Sequence, residues 1–249
     1  MPAPYLSSLR IDKEIFTLRF NANQLTGRAH TAQSSASDTL LAASGNKVLR
    51  NTYALLAMTL LFSAAVATAS VSYQWPAPGI ILTLVGYFGL LFAVYKLQNS
   101  AWALPAVFAL TGFMGYTLGP MLTHSLNLPG GGQTVSLALA ATGATFLALS
   151  GYVLITRRDF SFMGGFLFCG MIIALVAGLG AMFFELTALS LAVSAMVALL
   201  SAGMILFETS RIVNGGETNY VLATVSLFVS IFNLFTSLLS LFGLGNSNE

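Results

Sequence analysis

The stretch LFETSRIVNGGETNY, Leu206–Tyr220, marks the point where a long uncharged run gives way to charged residues. Roughly twenty uncharged residues precede it, and Glu208, Arg211 and Glu217 then follow within a short distance. A run of that length is typical of a transmembrane helix. The carboxyl group of Glu208 therefore falls in, or barely outside, the last turns of a predicted membrane helix, and both fold and function have to account for it.

The composition predicts an integral membrane protein. Of the 249 residues, 56% are hydrophobic and only 7% are charged, and the mean hydropathy is +0.82. Soluble domains carry about 25% charged residues, so this chain lacks the charged surface that a soluble protein of its size needs. The apolar runs are continuous over about twenty residues, which indicates helices, because the strands of membrane barrels alternate apolar and polar positions over about ten.

Seven transmembrane helices are predicted, separated by loops rich in Pro, Gly, Asn or charged residues. The predicted membrane domain covers residues 47–249. The residues before it, Met1–Asn46, are predicted to form a poorly ordered tail rich in polar and small residues, with a short strand or a partner-binding segment in EIFTLRF (Glu14–Phe20) as a minor alternative. The spans are Asn51–Val71, Pro78–Tyr95, Ala101–Thr123, Thr134–Ile155, Phe162–Phe184, Thr187–Phe207 and Tyr220–Phe242.

The positive charges predict the orientation. With seven spans, all ten Lys and Arg residues fall in the tail or in the loops on the same side of the membrane as the tail. The positive-inside rule then places the amino terminus in the cytoplasm and the carboxyl terminus in the periplasm. The count of seven and the charge asymmetry support each other, because omitting one helix would scatter the charges over both sides.

Residues suited to catalysis or metal binding are scarce. His30 and His124 fall on opposite sides of the membrane, and all three Asp residues fall outside the spans, which disfavours an intramembrane aspartyl protease. Cys169, the single cysteine, is interpreted as a small apolar filler. We therefore expect no enzyme activity, no cofactor, no metal ion and no nucleic-acid partner.

Glu208 admits two interpretations. The first is an interfacial carboxylate that touches Arg211, three residues later on the same helical face. The second is a partly desolvated acid that acts as a proton-sensitive latch. Burying the charged form of an acid at mid-bilayer costs about 2.5–3.5 kcal/mol on insertion scales. Acids are therefore found in membrane helices mainly where they handle ions or protons.

Two further patterns predict how helices pack. Gly115 and Gly119 have the small-xxx-small spacing that lets two helix backbones approach closely. In the last span, four polar residues recur at spacings of three and four and so share one face. This face predicts a buried helix that hydrogen-bonds to its neighbours, and simple packing without a transport role is the more common case. The four residues are Ser226, Ser230, Asn233 and Ser237.

The carboxyl-terminal part of the chain resembles a known family. LFETSRIVNGGETNYVLATVSLFVSIFNLFTSLLSLFG is similar to the signature of the Bax inhibitor-1 family, an acid after an aromatic, a short loop and an aromatic-rich last helix. The similarity continues through GFMGYTLGP and YVLITRRDFSFMGGFL and covers about Lys47 to Gly243. Within the family, FETSRIVNGGETNY and ATVSL resemble the bacterial YccA-like subgroup.

The resemblance implies a fold in which six helices surround a central carboxyl-terminal helix. Several family members are described as pH-sensitive calcium leak proteins, with two acids on the sixth and seventh helices and a basic residue near the second. Glu208 matches the first acid, Ser230 the second, and Lys96 lies close to the basic position. Because serine cannot ionise, the acid pair is incomplete. Together with Arg211 and Asn233, these residues are the candidates for proton sensing or an ion pathway.

The YccA-like subgroup is described instead as partners and modulators of FtsH, a membrane-anchored, ATP-dependent protease. The resemblance therefore implies an inner-membrane protein of bacteria that binds the FtsH complex as a slowly degraded, competing substrate, with the tail as the segment that the protease engages. A pH-sensitive calcium or cation leak is the alternative function. A purely structural or assembly role is a third.

Overall fold

Seven α-helices make up the part of the chain that our computed structural model describes, residues 47–245. Each is long and apolar enough to cross a membrane. The predicted tail, Met1–Asn46, and the alternative strand within it lie outside the described residues. The helices are α1 (Lys47–Ser72), α2 (Ile80–Leu97), α3 (Ala103–Leu126), α4 (Gly131–Thr156), α5 (Gly164–Phe183, preceded by the 3-10 turn Ser161–Met163), α6 (Thr187–Val213) and α7 (Tyr220–Gly245).

The seven predicted spans are confirmed, but the predicted end of the sixth is wrong. It was predicted at Phe207, and α6 continues to Val213. Helix α6 ends where Gly215 adopts a φ of 76° and the amide of Gly216 donates to the carbonyl of Arg211 at 2.8 Å, a Schellman-type termination. The length of the apolar run reflects the thickness of the hydrocarbon core, whereas the position of Gly215 determines where the helix ends.

The carboxyl-terminal helix lies at the centre of the bundle. Half of the most apolar stretch of α7 is buried, against 6% of that of α2. Helix α7 contacts α3, α4 and α6, and the hydroxyl of Thr224 reaches the carbonyl of Thr52 in α1 at 3.3 Å. Helix α2 packs against α3, and α5 packs against α6. The predicted all-helical membrane fold around a central last helix is therefore confirmed.

The polar face of α7 does not bond as predicted. The hydroxyl of Ser230 is buried and donates to the carbonyl of Ser226 in its own helix at 2.9 Å. A serine within a helix always has such a carbonyl one turn back within reach, so it needs no neighbour. Thr224 lies closer to the start of α7 and outside the predicted face, and its hydroxyl is 2.7 Å from the carbonyl of Tyr220 in its own helix and 3.3 Å from that of Thr52 in α1.

The small residues of α3 do pack as predicted. A Cβ atom added to Gly115 would meet the backbone carbonyl of Ser63, and one added to Gly119 would meet the side chain of Ser70. Both serines belong to α1, so the two glycines are the points where α1 and α3 approach most closely. The hydroxyl of Ser70 also lies 3.4 Å from the carbonyl of Tyr116.

The loops that follow α2, α4 and α6 meet at one end of the bundle. The side-chain amide of Asn219, before α7, donates to Gln98 and Asn99 after α2, and that of Asn214 to the carbonyl of Arg158 after α4. We call this the basic end, and the opposite end the far end. The positive-inside rule predicts that the basic end lies in the cytoplasm, because this end carries every Lys and Arg of residues 47–245. These residues are Lys47, Arg50, Lys96, Arg157, Arg158 and Arg211.

Exposed aromatic side chains flank the bundle at both ends. Trp102 and Phe162 are exposed at the basic end, and Tyr73 and Phe183 at the far end. At about 1.5 Å per residue, Phe162 and Phe183 lie roughly 30 Å apart. This separation matches the hydrocarbon core of a bilayer, at whose surfaces Trp and Tyr concentrate.

The contact between α1 and α3 predicts opposite effects for two Gly→Ala substitutions. Gly115→Ala places a methyl group against backbone that cannot move aside, and we expect it to destabilise the fold by about 1–3 kcal/mol. Gly151→Ala in α4 meets nothing within 4 Å, and we expect a neutral effect or a gain of up to about 1 kcal/mol from helix propensity. Unfolding in mixed detergent micelles measures both. Equal effects would contradict the close approach.

Candidate functional site at the end of α6

Glu208 is a buried carboxyl group in the last turns of α6. Its side chain is 5% exposed, and its atom Oε2 has no hydrogen-bond partner among the described residues. At about 1.5 Å per residue, Glu208 lies roughly 31 Å along the helix from Thr187. It therefore lies near the boundary of a hydrocarbon core about 30 Å thick.

Arg211 is the cation that faces this carboxyl group. Its Nη1 atom lies 3.6 Å from Oε2 of Glu208, an ion pair without a hydrogen bond, as the spacing of three residues predicts. Its Nη2 atom donates to Oε2 of Glu217 at 3.1 Å. The guanidinium carbon also lies 5.5 Å from the centre of the Phe207 ring, within cation–π range. One guanidinium thus bridges a buried acid and an acid of the following loop.

Glu217 connects this pair to the start of α7. Its second oxygen, Oε1, accepts a hydrogen bond from the amide of Asn219 at 2.9 Å. The side-chain oxygen of Asn219 in turn accepts from the amide of Val221, which caps the amino terminus of α7. The chain of contacts from Glu208 to Asn219 therefore fixes the turn between α6 and α7, which pack extensively against each other.

Ser210 holds the other loop at the same end. Its hydroxyl donates to the carbonyl of Arg158 at 3.1 Å and accepts from the amide of Phe160 at 2.9 Å. Beside it, Asp159 accepts from the amide of Ser161 at 2.8 Å. Hydrogen bonds from the side chain and backbone of Ser161 lower the pKa of Asp159, which favours its charged form. The last two turns of α6 are thus the attachment point for both adjacent loops.

The other predicted site residues make different contacts. Ser230 donates to Ser226, the carbonyl of the partly buried Asn233 accepts from the hydroxyl of Thr236, and Lys96 is exposed in the last turn of α2. Among the described residues, Glu208 hydrogen-bonds to none of them. The structure brings Glu208 and Arg211 together and records no direct contact from this pair to Ser230, Asn233 or Lys96.

Four residues of the site were not predicted from the sequence as functional: Glu217, Asn219, Ser210 and Asn214. An asparagine directly before a helix is a capping signal, so the capping role of Asn219 could have been predicted from the sequence. The contacts of Ser210 and Asn214 join residues more than 45 positions apart, and no local pattern predicts them. Within residues 47–245, no three His, Cys, Asp or Glu residues are grouped to hold a metal ion.

The seven-helix fold and the acid-bearing end of α6 agree with a family match. Residues 45–248 match the family described as Inhibitor of apoptosis-promoting Bax1, and the chain belongs to that family of membrane proteins. The predicted resemblance to the Bax inhibitor-1 family is thereby confirmed.

Individual relatives are similar over nearly their full length. The chain is 51% identical over 210 residues to the Modulator of FtsH protease YccA of Escherichia coli K12, covering 84% of this chain and 95% of that protein. A relative from another Escherichia coli strain is named Inner membrane protein YccA. An uncharacterised protein of Pseudomonas aeruginosa is 52% identical over 81% of this chain and 91% of its own length. An uncharacterised protein of Neisseria meningitidis is 32% identical over 80% of this chain and 91% of its own length. The names of these relatives thus give one modulator of FtsH, one inner membrane protein and two uncharacterised proteins.

The ion pair at the end of α6 predicts a non-additive stability effect. Arg211→Gln leaves a buried carboxyl group without its cation, and we expect a loss of about 2–3 kcal/mol. When Glu208→Gln is already present, the same change should cost at least about 1 kcal/mol less, because no buried acid is left unpaired.

Detergent-induced unfolding of the four proteins of this cycle, followed by circular dichroism, gives the coupling. Arg157→Gln serves as the control, because Arg157 is exposed in the α4–α5 loop. Additive losses would show that the contact between Arg211 and Glu208 contributes nothing to stability.

Proposed function

We propose that the protein is a non-enzymatic membrane protein that binds and modulates the protease FtsH. The observation that carries this proposal is the 51% identity to the Escherichia coli FtsH modulator YccA over 84% of the chain. The similarity covers most of the described bundle, so the fold and the surfaces described above are those that such a modulator would present. The predicted orientation puts the basic end and the amino terminus in the cytoplasm.

We further propose that it acts as a slowly degraded, competing substrate. Met1–Asn46 is rich in small and polar residues, a composition suited to a segment that a protease engages first. The family match starts at residue 45, so this tail precedes the shared part. An exposed chain end is where processive degradation starts most easily.

The packing of α1 supplies a reason for slow degradation. Pulling from the amino terminus must first remove α1 from the bundle. This separates Ser63 and Ser70 from the glycines of α3, where the two helices pack closely. Helix α1 is therefore a barrier directly behind the tail, and the protease would stay occupied while it works against that barrier.

Reconstitution with FtsH tests both parts of the proposal. We expect the full chain to copurify with FtsH, to be degraded slowly and to slow the degradation of another membrane substrate. Deleting residues 1–44 should leave the complex intact and reduce turnover of the chain several-fold. A variant in which the order of residues 1–44 is reversed keeps length and composition, and should be degraded like the full chain.

The outcomes of this experiment test the binding to FtsH and the role of the tail separately. Failure to recover any complex overturns the binding proposal. A complex that forms, with turnover unchanged by the deletion, overturns only the role of the tail.

A second candidate function is a proton-gated calcium or cation leak. The observation in its favour is Glu208, whose buried Oε2 atom has no hydrogen-bond partner in residues 47–245 and could accept a proton or a cation. Two features weigh against it: Arg211 already pairs with this acid, and Ser230 offers a hydroxyl where the family has a second acid.

Calcium release from liposomes at a series of pH values tests the second candidate. A leak of this kind predicts pH-dependent release that Glu208→Gln removes and that Ser230→Asp increases by completing the acid pair. Ser226→Asp, one turn earlier on the same face, is the matched control. Absence of release above that of protein-free liposomes, or release indifferent to Glu208→Gln, ends this candidate.

A further inference from the structure

A groove of about 590 Å³ lies between α1 and α4, with α3 and α7 as its floor. The floor consists of buried side chains such as Leu118 and Phe228, while Leu61 of α1 and Leu139 of α4 line its rim and are exposed. The groove thus opens sideways, through two leucines that belong to the surface facing the bilayer. It is separate from the end of α6 and shares no residue with the contacts of Glu208 and Arg211.

The chemistry of the walls selects an apolar occupant. None of the lining residues is charged. The hydroxyl of Thr68 donates to the carbonyl of Ala64 at 2.8 Å, and that of Thr142 to the carbonyl of Ala138 at 2.7 Å. Ser63, the third hydroxyl residue, is buried. A ligand with several hydrogen-bonding groups would lose its own partners and find few here, which is costly in an apolar site.

The groove spans one half of the membrane. Most of its lining residues lie in the second half of α1, the last turns of α3 and the first part of α4, next to the far end, and the lining residues of α7 lie in the middle of that helix. From Leu60 to Val71 the lining of α1 extends roughly 16 Å. This length equals about half of a hydrocarbon core of ~30 Å, which is the depth of a single leaflet.

We propose that this groove binds one acyl chain of a phospholipid from the leaflet at the far end, with the head group at the membrane surface beside Leu126 and Val71. The size fits this occupant. An apolar cavity of about 150 Å³ holds one benzene molecule, so a groove of about 590 Å³ has room for roughly twenty carbon atoms. That is the carbon count of a single long acyl chain.

A transmembrane helix from another protein fits less well. A membrane-spanning helix is about 30 Å long and at least 10 Å wide, and so takes up roughly 2,400 Å³. It would need a seam along the full depth of the bilayer, whereas this groove ends at mid-depth. A lipid of one leaflet matches both the length and the volume.

Filling the groove tests the proposal. Gly143 lines it, and a Cβ atom at that position meets nothing within 4 Å, so Gly143→Phe places a ring in the groove without a backbone clash. Gly151→Phe, two turns further along α4, adds the same ring outside the groove and is the matched control. Ala64→Phe fills the groove from α1 and replaces Gly143→Phe if the latter fails to fold by circular dichroism.

The full chain is reconstituted with phosphatidylglycerol, transferred to a mild detergent, and analysed by native mass spectrometry. We expect one phospholipid per chain in the wild type and in Gly151→Phe, and at least fivefold less in Gly143→Phe. Equal retention in all three proteins overturns the proposal. So does retention of added free palmitate with no phospholipid, or a lipid-free dimer that Gly143→Phe dissociates, which would identify a second copy as the occupant.

A measurement on the wild type does not depend on any variant. Phosphatidylglycerol with a photoreactive group near the end of one acyl chain is crosslinked to the protein in vesicles. We expect the crosslinked peptides to come mainly from residues 60–71 and 135–146. Crosslinks spread evenly over the exposed faces of α2 and α5 as well would show that the groove has no preference for lipid.

Discussion

The absence of hydrogen-bond partners in the bilayer is the constraint on which the rest of this structure depends. It requires that the seven spans be helices, and it also governs their polar side chains. Thr68, Thr142 and Ser230 each donate to a carbonyl one turn back in their own helix. Each of these hydroxyls therefore has its hydrogen-bond partner within its own helix. The helices are held together largely by close packing, as between Gly115 of α3 and Ser63 of α1. Within residues 47–245, side-chain hydrogen bonds between helices are few, and one of them joins Ser150 of α4 to Thr209 of α6 at 3.3 Å.

The same constraint explains why the polar contacts concentrate at the basic end. There the helices emerge from the hydrocarbon, and α6 continues for six residues past Phe207, the last residue before its first charged position, Glu208. This extension carries Ser210, which holds the α4–α5 loop, and Arg211, which holds the α6–α7 loop. The far end has no equivalent extension, since α5 and α6 are separated there by only three residues, with Glu185 at a φ of 52°. The far end has fewer such contacts: the hydroxyl of Tyr116 donates to the carbonyl of Pro76 in the α1–α2 loop at 2.6 Å, and the apolar groove lies in the half of the bundle next to this end.

Much of the fold could be predicted because hydropathy, charge asymmetry and small-residue spacing are local or additive signals. They predicted seven spans, a single basic side and the glycines of the α1–α3 contact. The end of α6 could not be predicted from hydropathy, because a helix can continue in the interface until Gly215 stops it. Within the site, the pair of Glu208 and Arg211 follows from their spacing, but the contact of Ser210 with Arg158 joins positions 52 residues apart. The groove is a property of four helices together, and none of the lining stretches predicts it alone.

The partner of Glu208 bears on both functions considered for this protein. An acid that serves as half of a proton-sharing pair needs a second acid close by, and the nearest charged group recorded for Glu208 is a guanidinium at 3.6 Å. That guanidinium is itself bound to Glu217, whose other oxygen holds the residue that caps α7. A change in the charge of Glu208 would therefore act first on the turn that positions the central helix. In this chain, the acid of α6 is connected to the start of α7 through Arg211 and Glu217.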